Sequence, residues 1–308
     1  MNQLILVTYH YVRDFPQTDF PRIKGILTDN FNKQVELLQS KFEMASHDSI
    51  ISFLSGKYFP EKNLCYLTFD DGLIDHYENV LPILMEKKIS AAFYTITSCI
   101  NSRLVASVHK NHFLMAELKF NDLYTRFSQV LKEVAPNLEL QPDMDIVKQV
   151  YKWDEPEIGM YKYHMNYGLP IDVREQILGI LFNEVFGREE SFSDNLYMGW
   201  DKLKELTNHG MSVGGHSHKH IAFSDLEPTE QRLDLSTCYE SLRTNLSKSD
   251  PLPFCYPYGK APSLSNSTPK YVQEAGFSTA VTTIPGWNSP KSNPFMLNRV
   301  DTNDIQNF

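Results

Sequence analysis

Residues Tyr66 to Gly72 read Tyr-Leu-Thr-Phe-Asp-Asp-Gly, a short apolar run that ends in two adjacent carboxylates and a glycine. This is the pattern of a buried strand that carries polar chemistry to a rim and then turns tightly. Two neighbouring aspartates at a strand end repel each other unless a cation or strong donors compensate. The plainer alternative is an acidic turn that caps the next helix.

Two later stretches bear on that choice. Trp200, Leu203, Leu206 and Met211 keep a helical spacing, and a short strand-like run then leads into Gly214-Gly215-His216-Ser217-His218-Lys219-His220. Three histidines in five residues beside two glycines do not make a core face. His216 and His220 stand four apart, which suits one face of a helical turn, and neutral imidazoles are common zinc ligands. The other stretch, Phe254-Cys255-Tyr256-Pro257-Tyr258-Gly259, is an apolar run closing on a proline-aromatic-glycine turn. Such a turn exposes backbone N–H groups to a developing oxyanion.

Taken in order, these stretches resemble the polysaccharide deacetylase superfamily, carbohydrate esterase family four. Its first motif, Thr-Phe-Asp-Asp-Gly, stands at Thr68 to Gly72, and its second, His-Ser/Thr-x-x-His, at His216 to His220. The third, Arg-x-Pro-Tyr, appears as Cys255-Tyr256-Pro257-Tyr258, with a cysteine in the arginine position. The late Leu-x-x-His motif is missing, because the last histidine is His220. The resemblance covers roughly residues 3–98 and 197–300. It implies an α/β fold, a deformed (β/α) barrel with catalytic residues at the C-terminal strand ends.

The chain as a whole fits that expectation. It has 308 residues, 42% of them apolar and 22% charged, an ordinary globular composition. The length permits one or two domains, barrel folds often occupy it as one, and with the resemblance a single catalytic domain over 1–308 is expected. The net charge of −9 and the lack of a basic block argue against nucleic acid or an anionic membrane as partner. Cys65, Cys99, Cys238 and Cys255 form no Cys-x-x-Cys pair, and the setting of Cys65 and Cys255 predicts reduced, buried thiols. Met1 to His10 lacks a basic n-region and reads as a first strand rather than a signal peptide. No stretch reaches membrane-spanning length, so the expected location is cytoplasmic.

Strand-like and helical segments alternate through Ile96, with Thr28 or Asp29 available to cap the helix carrying Phe31, Val35 and Leu38. Cys99 to Asn195 departs from this alternation. Helical spacing at Phe113 to Leu131 and at Val173 to Phe186 flanks a polar, proline-punctuated stretch from Gln141 to Pro170. We read residues 99–195 as a helical insertion, either a lid or flank to the rim or an oligomer interface. Thr229 to Leu246 reads as an amphipathic helix carrying Leu233, Leu235, Cys238, Leu242 and Leu246.

The resemblance assigns Asp70 as general base and Asp71, His216 and His220 as ligands of a divalent metal, Zn²⁺ by donor type. One carboxylate and two imidazoles leave open positions, as a catalytic zinc requires. The oxyanion would also meet the backbone N–H of Tyr258. Hydrolysis of an N-acetyl amide on a sugar then needs an acid for the departing amine. His10, at the end of the first strand, is the candidate, expected across the metal from Asp70; His218 is the rival. Arg299, near the end of the last apparent strand, is the candidate to replace the missing arginine, the alternative being a surface arginine paired with Asp301. Rival functions are a deacetylase or deformylase of a nucleotide- or lipid-linked sugar, and a metal-free glycan-binding relative.

Overall fold

A computed structural model describes residues 2–141, 143–150, 154–246 and 251–307. Met1 of the expected first strand, and Pro142 and residues 151–153 of the expected polar stretch, lie outside them. The chain divides into two compact units.

The first unit comprises residues 1–14, 24–104 and 193–308. Its strands are β1 (Leu4–Tyr9), β2 (Glu43–Met44), β3 (Leu64–Phe69), β4 (Ala91–Thr95), β5 (Ser212–Gly215), β6 (Pro253–Cys255), β7 (Thr279–Val281) and β8 (Val300–Asp301). All pair in parallel, in the order β7-β6-β5-β4-β3-β1-β8, with β2 beside the start of β3. The residues leading into β8 close the ring. Leu297 bridges in parallel to Val281 of β7, and Val300 and Asp301 pair with Val7 and Thr8 of β1.

Every residue of β1 and β3 is buried, as continuous apolar runs must be when both sheet faces are covered. Alternation splits them between two clusters. Ile5, Val7, Tyr9, Cys65, Leu67 and Phe69 pack with helical residues such as Phe31, Val35 and Leu38. Leu4, Leu6, Leu64 and Tyr66 pack on the other side with Tyr94, Cys255, Val281 and Leu297 from other strands of the ring. This second side is the filled interior of a deformed parallel α/β barrel. All four cysteines are buried, and none of them forms a disulfide.

Two local expectations change. Helix Thr28–Lys41 begins after Leu27 with no side-chain cap, so neither Thr28 nor Asp29 serves as one. Helix Pro228–Asn245 buries Leu235, Cys238 and Leu242, but Leu233 is 67% exposed and Asp234 takes the inward position beside it.

The second unit comprises residues 15–23 and 105–192. Its helices include Ser107–Glu117, Phe120–Val134 and Ile171–Phe186, around a core containing Leu114, Phe127, Tyr161 and Leu178. Between Gln141 and Pro170 the described residues include helices Met144–Val150 and Pro156–Tyr163 and a π turn at His164–Gly168. Residues 15–23 belong here because Phe20 meets Phe113, Phe186 and Phe192 at 4.8, 5.7 and 5.9 Å. Among the described residues, no helix is long and apolar enough to cross a membrane.

Candidate functional site

The inward positions of β3 lead to Thr68 and then to Asp70, whose N–H extends the ladder to the Tyr9 carbonyl at 3.0 Å. Asp70 therefore surmounts the barrel interior, 1% exposed. Arg299 meets it there, Nη1 donating to Oδ1 at 2.7 Å and Nη2 to Oδ2 at 2.6 Å. The other guanidinium protons go to Thr68 Oγ1 at 3.0 Å, Cys255 Sγ at 3.2 Å and, from Nε, the Thr282 carbonyl at 2.6 Å. All five donors of Arg299 are thus used. Thr8 Oγ1 adds a contact to Asp70 Oδ2 at 3.3 Å. Burial opposes ionisation of Asp70. The charge and hydrogen bonds of Arg299 still hold its carboxyl well below the usual carboxylate range. Arg299 is fully buried and pairs with Asp70, whereas the exposed Asp301 bonds Asn303.

The next residue turns the other way. Asp71 has φ 75° and Gly72 φ 68°. A Cβ at Gly72 would lie 2.5 Å from Thr95 Oγ1, so the turn requires glycine. Asp71 Oδ1 faces His216 Nε2 at 3.4 Å and His220 Nε2 at 3.6 Å, all three residues buried. His216 Nδ1 donates to the Cys255 carbonyl at 2.8 Å, which orients the ring so that Nε2 faces the carboxylate and would serve as the ligand atom in the neutral ring.

These residues fit a metal. Four ligands about 2.1 Å from a tetrahedral zinc stand about 3.4 Å from one another, the spacing of acceptors that share a cation. A second grouping, Asp70, His216 and Cys255, also lies within 4.8 Å. Its cation is already present in Arg299, and burial pushes the Cys255 thiol up, away from the thiolate a metal needs.

His216 and His220 do not share a helical turn. They sit on a loop in which Ser217 and His220 adopt φ 64° and 56°. His218 turns to Thr97, its Nδ1 2.9 Å from Thr97 Oγ1. Tyr258, with φ 60°, places its ring 5.2 Å from that of His220. Four of the six non-glycine residues with positive φ among those described are therefore in the three motif loops.

His10 stands beside Asp70, not across from it. β1 and β3 pair in register, Tyr9 opposite Phe69, so the residues that follow emerge side by side. Its side chain is 46% exposed, with Nε2 3.8 Å from Asp70 Oδ2. The His10–Arg13 segment is gripped by residues that sequence reasoning passed over. His76 Nε2 donates to the His10 carbonyl at 2.9 Å, Asn79 donates to the Val12 carbonyl at 2.8 Å, and Asp75 takes two hydrogen bonds from Arg13 at 2.6 Å each. Asp234 was passed over as well; it accepts the backbone N–H groups of His218 and Lys219. None of these carries a local signal, since each acts on a segment distant in sequence.

Comparison with known proteins bears on the family and the fold. The family model described as polysaccharide deacetylase matches residues 57–139 and 182–280, more than half of the chain. Asp70, Asp71, His216, His220 and Tyr258 lie inside the match, while His10 and Arg299 lie outside it. A 116-residue stretch is 25% identical to YxkH of Bacillus subtilis (strain 168), a protein named for the same family; it spans 38% of this chain and 40% of that relative. Among solved structures, the Streptococcus pyogenes deacetylase PplD in complex with acetate superposes with a TM-score of 0.60 at 16% identity, over 97% of this chain and 92% of that one. IcaB from Ammonifex degensii gives 0.59 at 18%, over 99% and 95%. At such identities these two share the fold. The extent of the family match, with both carboxylates and both histidines of its motifs inside it, decides the assignment: the chain belongs to the polysaccharide deacetylase family.

Proposed function

We propose that this protein is a metal-dependent carbohydrate N-deacetylase, one catalytic domain over residues 1–308 with a helical insertion at 99–195, that hydrolyses the N-acetyl amide of an amino sugar. One observation carries the reading: two imidazole Nε2 atoms and one carboxylate oxygen converge at 3.4 and 3.6 Å beside an aspartate already neutralised by a buried arginine.

Asp71, His216 and His220 hold the metal. A divalent ion there, Zn²⁺ by the donor set, supplies Lewis acidity and lowers the pKa of water. Asp70 takes a proton from the attacking water as its oxygen bonds to the acetyl carbon. Arg299 keeps that carboxylate ionised and fixed in orientation. The backbone N–H of Tyr258 is assigned to the developing oxyanion. His10 supplies a proton to the nitrogen as the C–N bond breaks, giving acetate and a free amine. It stands on the Asp70 side of the site with its ring half in solvent, whereas His218 is bound to Thr97.

The test is acetate release by zinc-loaded protein from a panel of N-acetylated sugars, both free oligosaccharides and nucleotide- or lipid-linked. Acetate from glycans supports the reading. Formate from N-formyl sugars, or turnover confined to linked sugars, moves it to the corresponding alternative. Binding of glycans with well under one equivalent of zinc retained identifies a non-catalytic relative.

A further inference from the structure

The loop that carries both histidine ligands is costly to build. Ser217 and His220 are left-handed, a conformation that non-glycine residues hold only when their surroundings impose it. Three sets of contacts do so here. Ser217 Oγ accepts the His220 N–H at 2.8 Å. The backbone N–H groups of Thr97 and Ser98, just past the end of β4, donate to the carbonyls of Ser217 and His218 at 3.3 and 3.0 Å. The third is Asp234, whose Oδ1 accepts from His218 N at 2.8 Å and Oδ2 from Lys219 N at 2.9 Å.

Asp234 is unusual in its cost. It is 7% exposed, and among the described residues no lysine or arginine forms an ion pair with it. Burial pushes its carboxyl up to about 6, against the two N–H groups and Lys219, which pull it down. A buried carboxylate with no cation paired directly to it is expensive, and charge-assisted hydrogen bonds to backbone N–H groups are its main compensation. Both of its oxygens are spent on the two residues immediately before His220. Its helix, Pro228–Asn245, is itself anchored, with Leu235, Cys238 and Leu242 buried and Gln231 Nε2 bonded to the Phe223 and Leu226 carbonyls at 2.8 and 3.0 Å.

We propose that Asp234 is a positioning residue for the metal centre: by holding the His218 and Lys219 N–H groups it aims His220 at Asp71 and thereby sets metal affinity. This rests on the reading of Asp71, His216 and His220 as ligands. The ligands impose an inter-residue geometry of a few tenths of an ångström, and outer contacts of this kind change affinity by about 10–100-fold.

The experiment measures zinc affinity of full-length protein by competition with a chromogenic chelator, alongside melting temperature with and without zinc. It compares wild type, Asp234→Asn, Asp234→Glu and Asp71→Ala. Asparagine keeps the shape but turns an NH₂ toward one backbone N–H; glutamate keeps the charge but lengthens the arm, and serves if the asparagine variant does not fold. The expected result is zinc affinity lowered about 10–100-fold in the Asp234 variants, with a smaller zinc-induced rise in melting temperature. Asp71→Ala should not bind zinc at the site. If the Asp234 variants bind zinc like wild type while their metal-free melting falls, Asp234 is only a structural cap and the proposal is overturned. If Asp71→Ala also binds like wild type, the ligand assignment itself has failed.

Discussion

Asp70 and Asp71 are consecutive residues in opposite surroundings. Asp70 receives two hydrogen bonds from one guanidinium and a contact from Thr8, all inside the barrel. Asp71 turns by a left-handed φ toward the imidazole Nε2 atoms of His216 and His220, at 3.4 and 3.6 Å. One carboxylate has its cation built into the chain; the other faces groups that suit a cation from outside. The difference teaches how one strand end can suit two chemistries: environment, not residue type, separates the proposed base from the proposed ligand.

The comparison breaks most decisively on the ligand side. His216→Ala or His220→Ala is expected to abolish both zinc retention and activity, since two remaining ligands hold a catalytic zinc poorly. Metal analysis after stripping and reloading checks this, and full occupancy in either variant removes that histidine from the set.

On the other side, Asp70→Asn should retain zinc while turnover falls by roughly 10²–10⁴. Loss of zinc instead would mean that the two carboxylates share one role. His10→Ala should also retain zinc, with a loss of roughly 10² and a flattened alkaline limb, because an acid must be protonated and its contribution disappears as pH rises. A wild-type alkaline limb in that variant would pass the acid role to another group.

Arg299 sharpens the contrast by pH. Because Asp70 is held well below the usual carboxylate range, it stays ionised through the whole assayable range and should contribute no acid limb. Arg299→Met removes the compensating charge, so the Asp70 carboxyl should rise and an acid limb should appear. The broken buried pair should cost about 3–5 kcal/mol in denaturant unfolding. Arg299→Lys restores charge but not the five-donor fork, and should fall between the two. An unchanged acid side in Arg299→Met would show that the pair does not control Asp70.

The parts of this site that could be read in the sequence are those whose signal is local. Strand, turn and chemistry lie within seven residues at Tyr66–Gly72, and parallel strands deliver such ends to one rim. Arg299 could be nominated, since it follows an apolar run, but the donors it spends reach residues 17 to 231 positions away. The histidine spacing of four pointed to a helical turn. The loop instead brings the rings to 4.8 Å through two left-handed residues, in a turn held by Ser217 Oγ, by backbone N–H groups just past β4 and by Asp234. Asp234 was hidden by an apolar count. Leu233 looks like the core position of its helix, yet it is 67% exposed while its charged neighbour points inward to meet two N–H groups. Hydrophobic spacing finds the face that packs, but not the one position on it reserved for a polar duty.

The smallest expected effect separates histidines that suit a cation from those that exclude one. His47 lies away from the motif loops, with Nε2 3.0 Å from Ser278 Oγ, and burial lowers it to about 4. Unfolded, it titrates near the ordinary 6.5, so between these values the unfolded chain binds more protons than the folded one. The stability associated with neutral His47 is therefore complete above pH 6.5 and is lost progressively as pH falls toward 4. A shift of this size amounts to about 3 kcal/mol at full titration. His47→Gln keeps a hydrogen-bonding group toward Ser278 without a titrating ring. Urea unfolding of zinc-free protein at pH 7.5 and pH 4.5 should show wild type losing roughly 2–3 kcal/mol more than His47→Gln over that interval. Working metal-free removes the additional dependence that zinc at His216 and His220 would bring. Equal losses in the two proteins would mean that His47 takes up its proton in the folded state as readily as in water, and that burial alone does not keep a histidine in this barrel neutral.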